Sequence, residues 1–425
     1  MSEVKSEDYS KTLAAPTSSG ERNPIIDILR GFALFGILLV NFPGSEAARS
    51  GAVDDTVQKL LTIFVSGKFY TTFSFLFGLG FALQLLRAQK RGQRIVPVYI
   101  RRMLVLFLIG LGHSVLIWEG DVLLYYAFMG CFLIPFRNQS AKILIPAALL
   151  VMAGGYYLNT TEKPFFVRDL VPQLVSPELE QESALKQAVA YNEIGEAGRR
   201  LWAAIKSGTY LDVVAARFET WRLSNRYLFN YVWPMSFAMF LIGMFAGRHA
   251  VIRYPPTRSV LLRRVMWIAL PVWLSLAVLL AYGPQLSSSF YFKIHWKVLS
   301  LIWMIQQPAG SLFYILAIVS LLASRPTWVS KLSPLGAVGR MALTNYLLQS
   351  VVGTTLYYGY GLNFQTRMGN LPGFLLAMVV FSFQILLSSS WLRRFQFGPA
   401  EWLWRSLTYL RFQPMKISRL SNSDR

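Results

Sequence analysis

Ile25-Ile-Asp27-Ile-Leu-Arg30-Gly-Phe-Ala-Leu-Phe-Gly-Ile-Leu-Leu-Val-Asn41-Phe42 is apolar over enough length to cross a bilayer, and it carries an acid and a base near its start. A hydrocarbon layer requires about 20 mostly apolar residues per helix, somewhat fewer where flanking side chains snorkel. Working outward, similar runs occur at Leu60 to Leu86, Met103 to Trp118, Val122 to Phe136, Ile143 to Leu158, Tyr231 to Ala246, Val265 to Tyr282, Val298 to Ala323, Leu335 to Tyr357 and Leu371 to Leu387. The expected fold is all-α: a polytopic transmembrane bundle of about ten spanning helices. Almost no loop joins the pair around Trp118 to Asp121, and Gln306-Gln307-Pro308 could break the eighth segment into two half-helices.

The basic residues supply an orientation. The first inter-helix segment sets Arg49 and Lys59 against Glu46, Asp54 and Asp55, whereas the second holds Arg87, Lys90, Arg91, Arg94, Arg101 and Arg102. Further basic segments hold Arg137 and Lys142, then Arg248 to Arg264, then Arg325, Lys331 and Arg340, then the C-terminal tail. These are alternate loops in the ten-helix count, so the positive-inside rule puts them and both termini in the cytoplasm. The chain divides into a polar tail at 1–21, expected to be disordered, and a membrane half at 22–158. A non-cytoplasmic insertion at 159–230 follows, with scattered apolar positions suited to amphipathic helices, then a second membrane half at 231–392 and a basic cytoplasmic tail at 393–425. The insertion either covers a site or caps the bundle.

Composition agrees with this reading. Hydrophobic residues make up 54% of the chain and charged residues 15%, too little charge to cover a globular surface. The net charge of +21 lies mainly in short links between apolar runs, and no soluble module is evident to carry a nucleic-acid groove, so nucleic acid is excluded as a partner. Membrane lipids are the expected surroundings, and a homo-oligomer is compatible with the sequence. Cys131 is the only cysteine, which excludes an intrachain disulfide and a thiolate cluster and leaves it a packing role. Three separated histidines offer no compact metal site. Phosphate-loop, dinucleotide, HExxH and GxSxG signatures are missing.

Ionisable groups inside a membrane are costly unless paired or wet, so each is a candidate. Asp27 and Arg30 stand three apart and can meet on one helix face, either as an interfacial ion pair or to hold a polar ligand group; Gly31 permits close approach of a backbone or a ligand. Lys68 could snorkel outward or bind an anionic group. His113, in Gly110-Leu-Gly-His113, has Glu119 and Asp121 in the turn just beyond. An imidazole near a carboxylate can act as a general base, or it can be a structural hydrogen-bonding group. Asp121 could orient that ring, bind a hydroxyl or cap the next helix. Arg340, Asn345 and Gln349 add a cation and two amides, the amides on one helix face, as a binding surface or as interhelix glue.

Arg22 with Asp27 to Asn41, Lys68-Phe with Phe73 to Gly78, Gly112-His113 through Asp121, Gly339 to Ser350 and Gly398 to Thr408 resemble, in order, the YeiB-like family of bacterial inner-membrane proteins, whose C-terminal half is a domain of unknown function. The first-helix motif is also similar to that of transmembrane acyltransferases such as the heparan glucosaminide acetyltransferases. The resemblance implies an inner-membrane location. It also implies transfer of an acyl group from cytoplasmic acyl-CoA, a substrate and not a permanently bound cofactor, to a hydroxyl or amine on the far side. The functional histidine that those enzymes carry in the first outer segment has no counterpart among Gly44 to Lys59, so His113 would take its role. Asp121 would orient it and Lys68 would stabilise oxyanion charge, while Asp27, Arg30, Arg340 and Asn345 would hold the donor. The rival reading is a small-molecule or lipid transporter, which gains from a helix break at Gln306 to Pro308.

Overall fold

The computed structural model describes residues 13–14, 21–42, 51–160, 193, 195–224, 232–249, 259–286 and 296–417. The expected disordered N-terminal tail is almost wholly outside these residues. The first outer segment at 43–50, the insertion at 161–192, the basic stretch 251–258, His295 and residues beyond 417 are outside them as well.

The fold is an all-α, multi-pass bundle. Six stretches among the described residues are long and apolar enough to cross a membrane: Pro24–Asn41, Ala52–Lys90, Val96–Leu116, Val260–Gly283, Val298–Ser324 and Asn370–Trp391. The expectation of about ten spanning helices is thereby corrected to about six. The physical reason is that an apolar run serves a protein core as well as it serves lipid. Val122 to Phe136 forms only the nine-residue α5, Leu123–Cys131, followed by a 3-10 turn at Pro135–Asn138. At 1.5 Å per residue α5 is roughly 14 Å long, under half of a bilayer core. Leu335 to Tyr357 breaks at Met341 into two helices, of 8 and 16 residues. Tyr231 to Ala246 gives a 17-residue helix whose Met235, Ala238, Met239, Phe240, Leu241 and Met244 are all buried, apolar because it is enclosed by protein. Ile143 to Leu158 lies within Ala141–Thr160, whose fully described part, Ala141–Tyr157, is shorter than the six.

In chain order the helices are α1 Pro24–Asn41, α2 Ala52–Phe64, α3 Lys68–Lys90, α4 Val96–Leu116, α5, α6 Ala141–Thr160, α7 195–207, α8 Tyr210–Ser224, α9 Val232–Arg248, α10 Val260–Leu286 and α11 Trp296–Ser324. Then come α12 Thr327–Lys331, α13 Ser333–Arg340, α14 Ala342–Tyr357, α15 Asn370–Trp391 and α16 Pro399–Tyr409. Helix α11 runs through Pro308 without interruption, so the half-helix element anticipated at Gln306 to Pro308 does not form. Proline is tolerated in membrane helices where neighbours satisfy the freed backbone groups.

Two close crossings set the frame. A Cβ on Gly31 would collide with the Leu335 carbonyl, and one on Gly339 with the Asp27 carbonyl, so α1 and α13 meet backbone to backbone. Gly78 and Gly243 make the same kind of contact between α3 and α9. The freedom of approach at Gly31 is thus used by a backbone. The start of α1 is fixed by Asn23, whose side-chain oxygen accepts from the Ile25 N–H at 3.0 Å, with Pro24 in the first turn.

Candidate active site and its cationic cavity

His113 lies in the last turn of α4, and the tight link to α5 brings Asp121 back beside it. The His113 Nδ1 and Asp121 Oδ1 are 2.8 Å apart, and both side chains are 1% exposed. Asp121 Oδ2 accepts from the Leu124 N–H at 2.8 Å. Asp121 therefore orients the imidazole and caps α5 together. In the tautomer in which Asp121 accepts, Nδ1 carries the proton and Nε2 is the nitrogen left to act as a base. Nε2 has no hydrogen-bond partner among the described residues. The Tyr346 ring stands 5.2 Å from the imidazole, and its hydroxyl accepts from the Val122 N–H at 3.3 Å.

Tyr346 also belongs to the wall of a cavity of about 240 Å³. The α1 residues along this cavity run from Ile26 to Ile37, and those of α3 run from Arg87 back to Phe73. One end carries Arg22, Arg30, Arg87, Arg102, Arg340 and Arg405, against only Asp27 and Glu401. Further along come Leu34, Phe77, Met103 and Leu106, and the far end is closed by Val122, Leu123, Tyr126 and Tyr346. On α4, Arg102 and His113 are separated by roughly 16 Å of helix. His113 itself does not line the cavity; Tyr346 stands between them.

Arg30 donates to Asp27 at 3.2 Å, as the three-residue spacing implies. The Arg340 Nη2 donates to the Gln396 carbonyl at 3.4 Å, and its buried Nε has no partner among the described residues. Helix α16, in what the sequence presents as a basic tail, closes one side: its Trp404 lies under the Arg102 guanidinium at 3.9 Å and donates from Nε1 to the Arg102 carbonyl at 2.9 Å. Arg405 and Arg22 both stand over the Phe397 ring, at 4.4 and 5.8 Å. Burial, with Arg102 and Arg22 nearby, presses Arg405 down to about 10, and burial lowers Arg22 as well. Glu401 accepts from the Leu343 and Thr344 N–H groups at 2.6 and 3.0 Å and from the Thr344 hydroxyl at 2.6 Å, capping the helix that carries Tyr346.

On the other side of His113, α8 of the insertion covers the turn. Arg217, 1% exposed, donates from Nε to Glu119 at 3.1 Å and from Nη1 to the Val115 carbonyl at 3.2 Å, and the Tyr358 hydroxyl donates to the same carboxylate at 2.8 Å. The described part of the insertion therefore packs over the His113 end of the bundle.

Lys68 and Asn345 are placed elsewhere. Lys68 is buried where α3 meets α11 and donates to the Thr62 carbonyl at 2.7 Å; no hydrogen bond or ion pair joins it to His113 or Asp121 among the described residues. Asn345 donates to the Val338 carbonyl at 3.2 Å and to Ser388 at 2.9 Å, and Gln349 donates to Gln384 at 2.9 Å, so these amides tie α14 to α13 and α15. Tyr346, Glu401, Arg405 and Arg217 are not singled out by spacing alone. A tyrosine between two amides and a carboxylate in an amphipathic tail helix carry no signal until their partners are known.

Residues 246–411 match the family described as "Protein of unknown function (DUF418)", and residues 22–178 match "Heparan-alpha-glucosaminide N-acetyltransferase, catalytic". The chain is 32% identical to "Uncharacterized protein YxaH" of Bacillus subtilis (strain 168), over 94% of this chain and 97% of that protein. It is 28% identical to "Uncharacterized protein YeiB" of Escherichia coli (strain K12), over 94% of this chain and 100% of that one. An uncharacterized 39.9 kDa protein encoded in the amylase 3' region of Bacillus acidopullulyticus is also 28% identical, over 95% and 99% of the two chains. No solved structure matches. The match at residues 22–178 is a distant one and suggests a transferase-like superfamily. Similarity running almost from end to end, on a bundle of long apolar helices, makes this chain a polytopic membrane protein of the DUF418, YeiB-like family.

Proposed function

We propose that the protein transfers an acyl group from an acyl-CoA, entering at the arginine-rich end, to a hydroxyl or amine acceptor that arrives beside His113. The observation that carries this reading is a cationic cavity whose far wall, Tyr346, is in ring contact with the buried His113–Asp121 pair. The cavity offers arginines to the donor phosphates and an apolar passage to its arm, over a length set by about three to four turns of helix. His113 Nε2 removes the acceptor proton as the acceptor oxygen or nitrogen attacks the thioester carbonyl. Asp121 stabilises the imidazolium, and the same proton passes to the departing coenzyme A thiolate as the carbon–sulfur bond breaks. Because Tyr346 separates the imidazole from the cavity, turnover requires that ring to swing aside. Asp27, Arg30 and Arg340 belong to the donor end in this proposal, while Lys68 and Asn345 are assigned no chemical step. In this proposal the arginine-rich end faces the cytoplasm of a bacterial inner membrane, the side on which basic residues are retained.

The test is incubation of the purified protein in liposomes with labelled acyl-CoA donors and candidate acceptors, alongside His113→Ala. Donor-dependent product that falls by about 10²- to 10⁴-fold in the variant is expected. Product that persists undiminished in His113→Ala removes the histidine from the chemistry, and no turnover or donor binding by the intact protein under broad conditions refutes the reading.

A further inference from the structure

Arg22, Asp27 and Arg340 have a second face. Besides the cavity above, they line a groove of about 830 Å³ between the start of α1, the α12–α13 segment and the end of α15. No other residue is shared by the two walls. On the groove side Arg393 and Ser389 join them, over apolar surface from Ile28 and Leu392. Asp27, the one carboxylate there, is already paired with Arg30. The buried Arg340 Nε and Ser389 Oγ have no hydrogen-bond partner among the described residues. The groove thus carries an excess of cationic donors beside an apolar floor, which is the chemistry of a phosphate joined to a hydrocarbon.

The groove is also continuous with surface suited to lipid. Leu375, Val379, Phe383 and Leu386 recur at helical spacing on α15 and are all exposed. Arg393 lies seven residues after Leu386, in the turn just past the end of α15. An acyl chain lying along that stripe brings its headgroup to Arg393, with Arg22 and Arg340 next to it.

We propose that this groove binds the phosphate headgroup of an anionic phospholipid from the leaflet on the arginine-rich side of the protein. Basic recesses between helix ends at the membrane surface are suited to such headgroups. Since Arg22 and Arg340 form part of both walls, a lipid phosphate in the groove competes for their donors with any anion in the inner cavity. The site stands independently of acyl transfer.

The test measures binding of phosphatidylglycerol, phosphatidylcholine and inorganic phosphate to the full-length protein, purified and delipidated in neutral detergent, by native mass spectrometry. Three variants are compared: Arg393→Gln, Arg393→Lys and Arg405→Ala, the last altering only the inner cavity. Wild type is expected to hold phosphatidylglycerol in preference to phosphatidylcholine, Arg393→Gln to weaken this about fivefold, Arg393→Lys to restore most of it, and Arg405→Ala to leave it unchanged. Equal affinity in wild type and Arg393→Gln overturns the proposal. So does a loss confined to Arg405→Ala, which moves the lipid to the inner cavity, and so does displacement of the lipid by inorganic phosphate at equal concentration, which makes the groove a free-anion site.

Discussion

Asp121→Asn separates the two jobs of one carboxylate. In the wild type Oδ1 accepts from His113 Nδ1 and Oδ2 accepts from the Leu124 N–H, each at 2.8 Å. An asparagine oxygen keeps the Leu124 bond, but its NH₂ then faces Nδ1. The imidazole must offer Nδ1 as an acceptor and carry its proton on Nε2, where the proposed reaction needs a lone pair. A charge-assisted bond of about 1.5–3 kcal/mol is exchanged for a neutral one of about 0.5–1.5, so the variant loses about 1–2 kcal/mol of stability. Acyl transfer falls by about 10²- to 10⁴-fold because the base is in the wrong tautomer. Asp121→Ala should cost more stability, about 3–5 kcal/mol, since it removes the α5 cap and leaves the buried Nδ1–H without an acceptor. The measurement is single-turnover transfer from labelled acyl-CoA in liposomes, paired with thermal unfolding of the same samples. An asparagine variant that turns over like wild type refutes the role of the pair, whatever its melting temperature.

Arg217→Ala should destabilise by about 1–3 kcal/mol, less than breaking a fully buried pair, because Glu119 is 34% exposed; Arg217→Lys should recover only part of it, and a melting temperature unchanged in both would show that the α8 clamp contributes nothing. Gly339→Val places a Cβ against the Asp27 carbonyl at the α1–α13 crossing and should cost about 1–3 kcal/mol or more, read as a lower melting temperature, with wild-type stability counting against the backbone contact. Burial raises Glu401 above its ordinary value of 4.5, so the folded protein keeps a proton that the unfolded chain has lost. Stability should therefore fall as pH rises from 4.5 through the raised value, and Glu401→Gln should flatten that slope; an identical slope in the variant would refute the assignment.

The ordered spacing of Asp27 and Arg30, and of His113 before Asp121, is legible in the sequence because each pair is joined by local chain geometry: three residues along a helix, or one tight turn. Apolar run length likewise identifies a membrane protein, since no soluble surface can be built from so few charges. The number of crossings is a different matter. Helix α5 and the short α9 read as spans because burial in protein and burial in lipid select the same side chains, and only packing tells which neighbour an apolar face has.

The cavity is still less local. Its six arginines come from α1, α3, α4, α13, α16 and the segment just before α1, positions up to several hundred residues apart, and Tyr346 acquires meaning only when α14 lays it against His113. The sequence by itself determined the membrane setting, the polar pairs held by short-range geometry and the family. Tertiary structure decided which apolar runs form helices long enough to cross a membrane, that α16 closes one side of the cavity, and that Lys68 and Asn345 make their hydrogen bonds with other partners than the His113 pair, because those outcomes depend on contacts between segments that no spacing along the chain encodes.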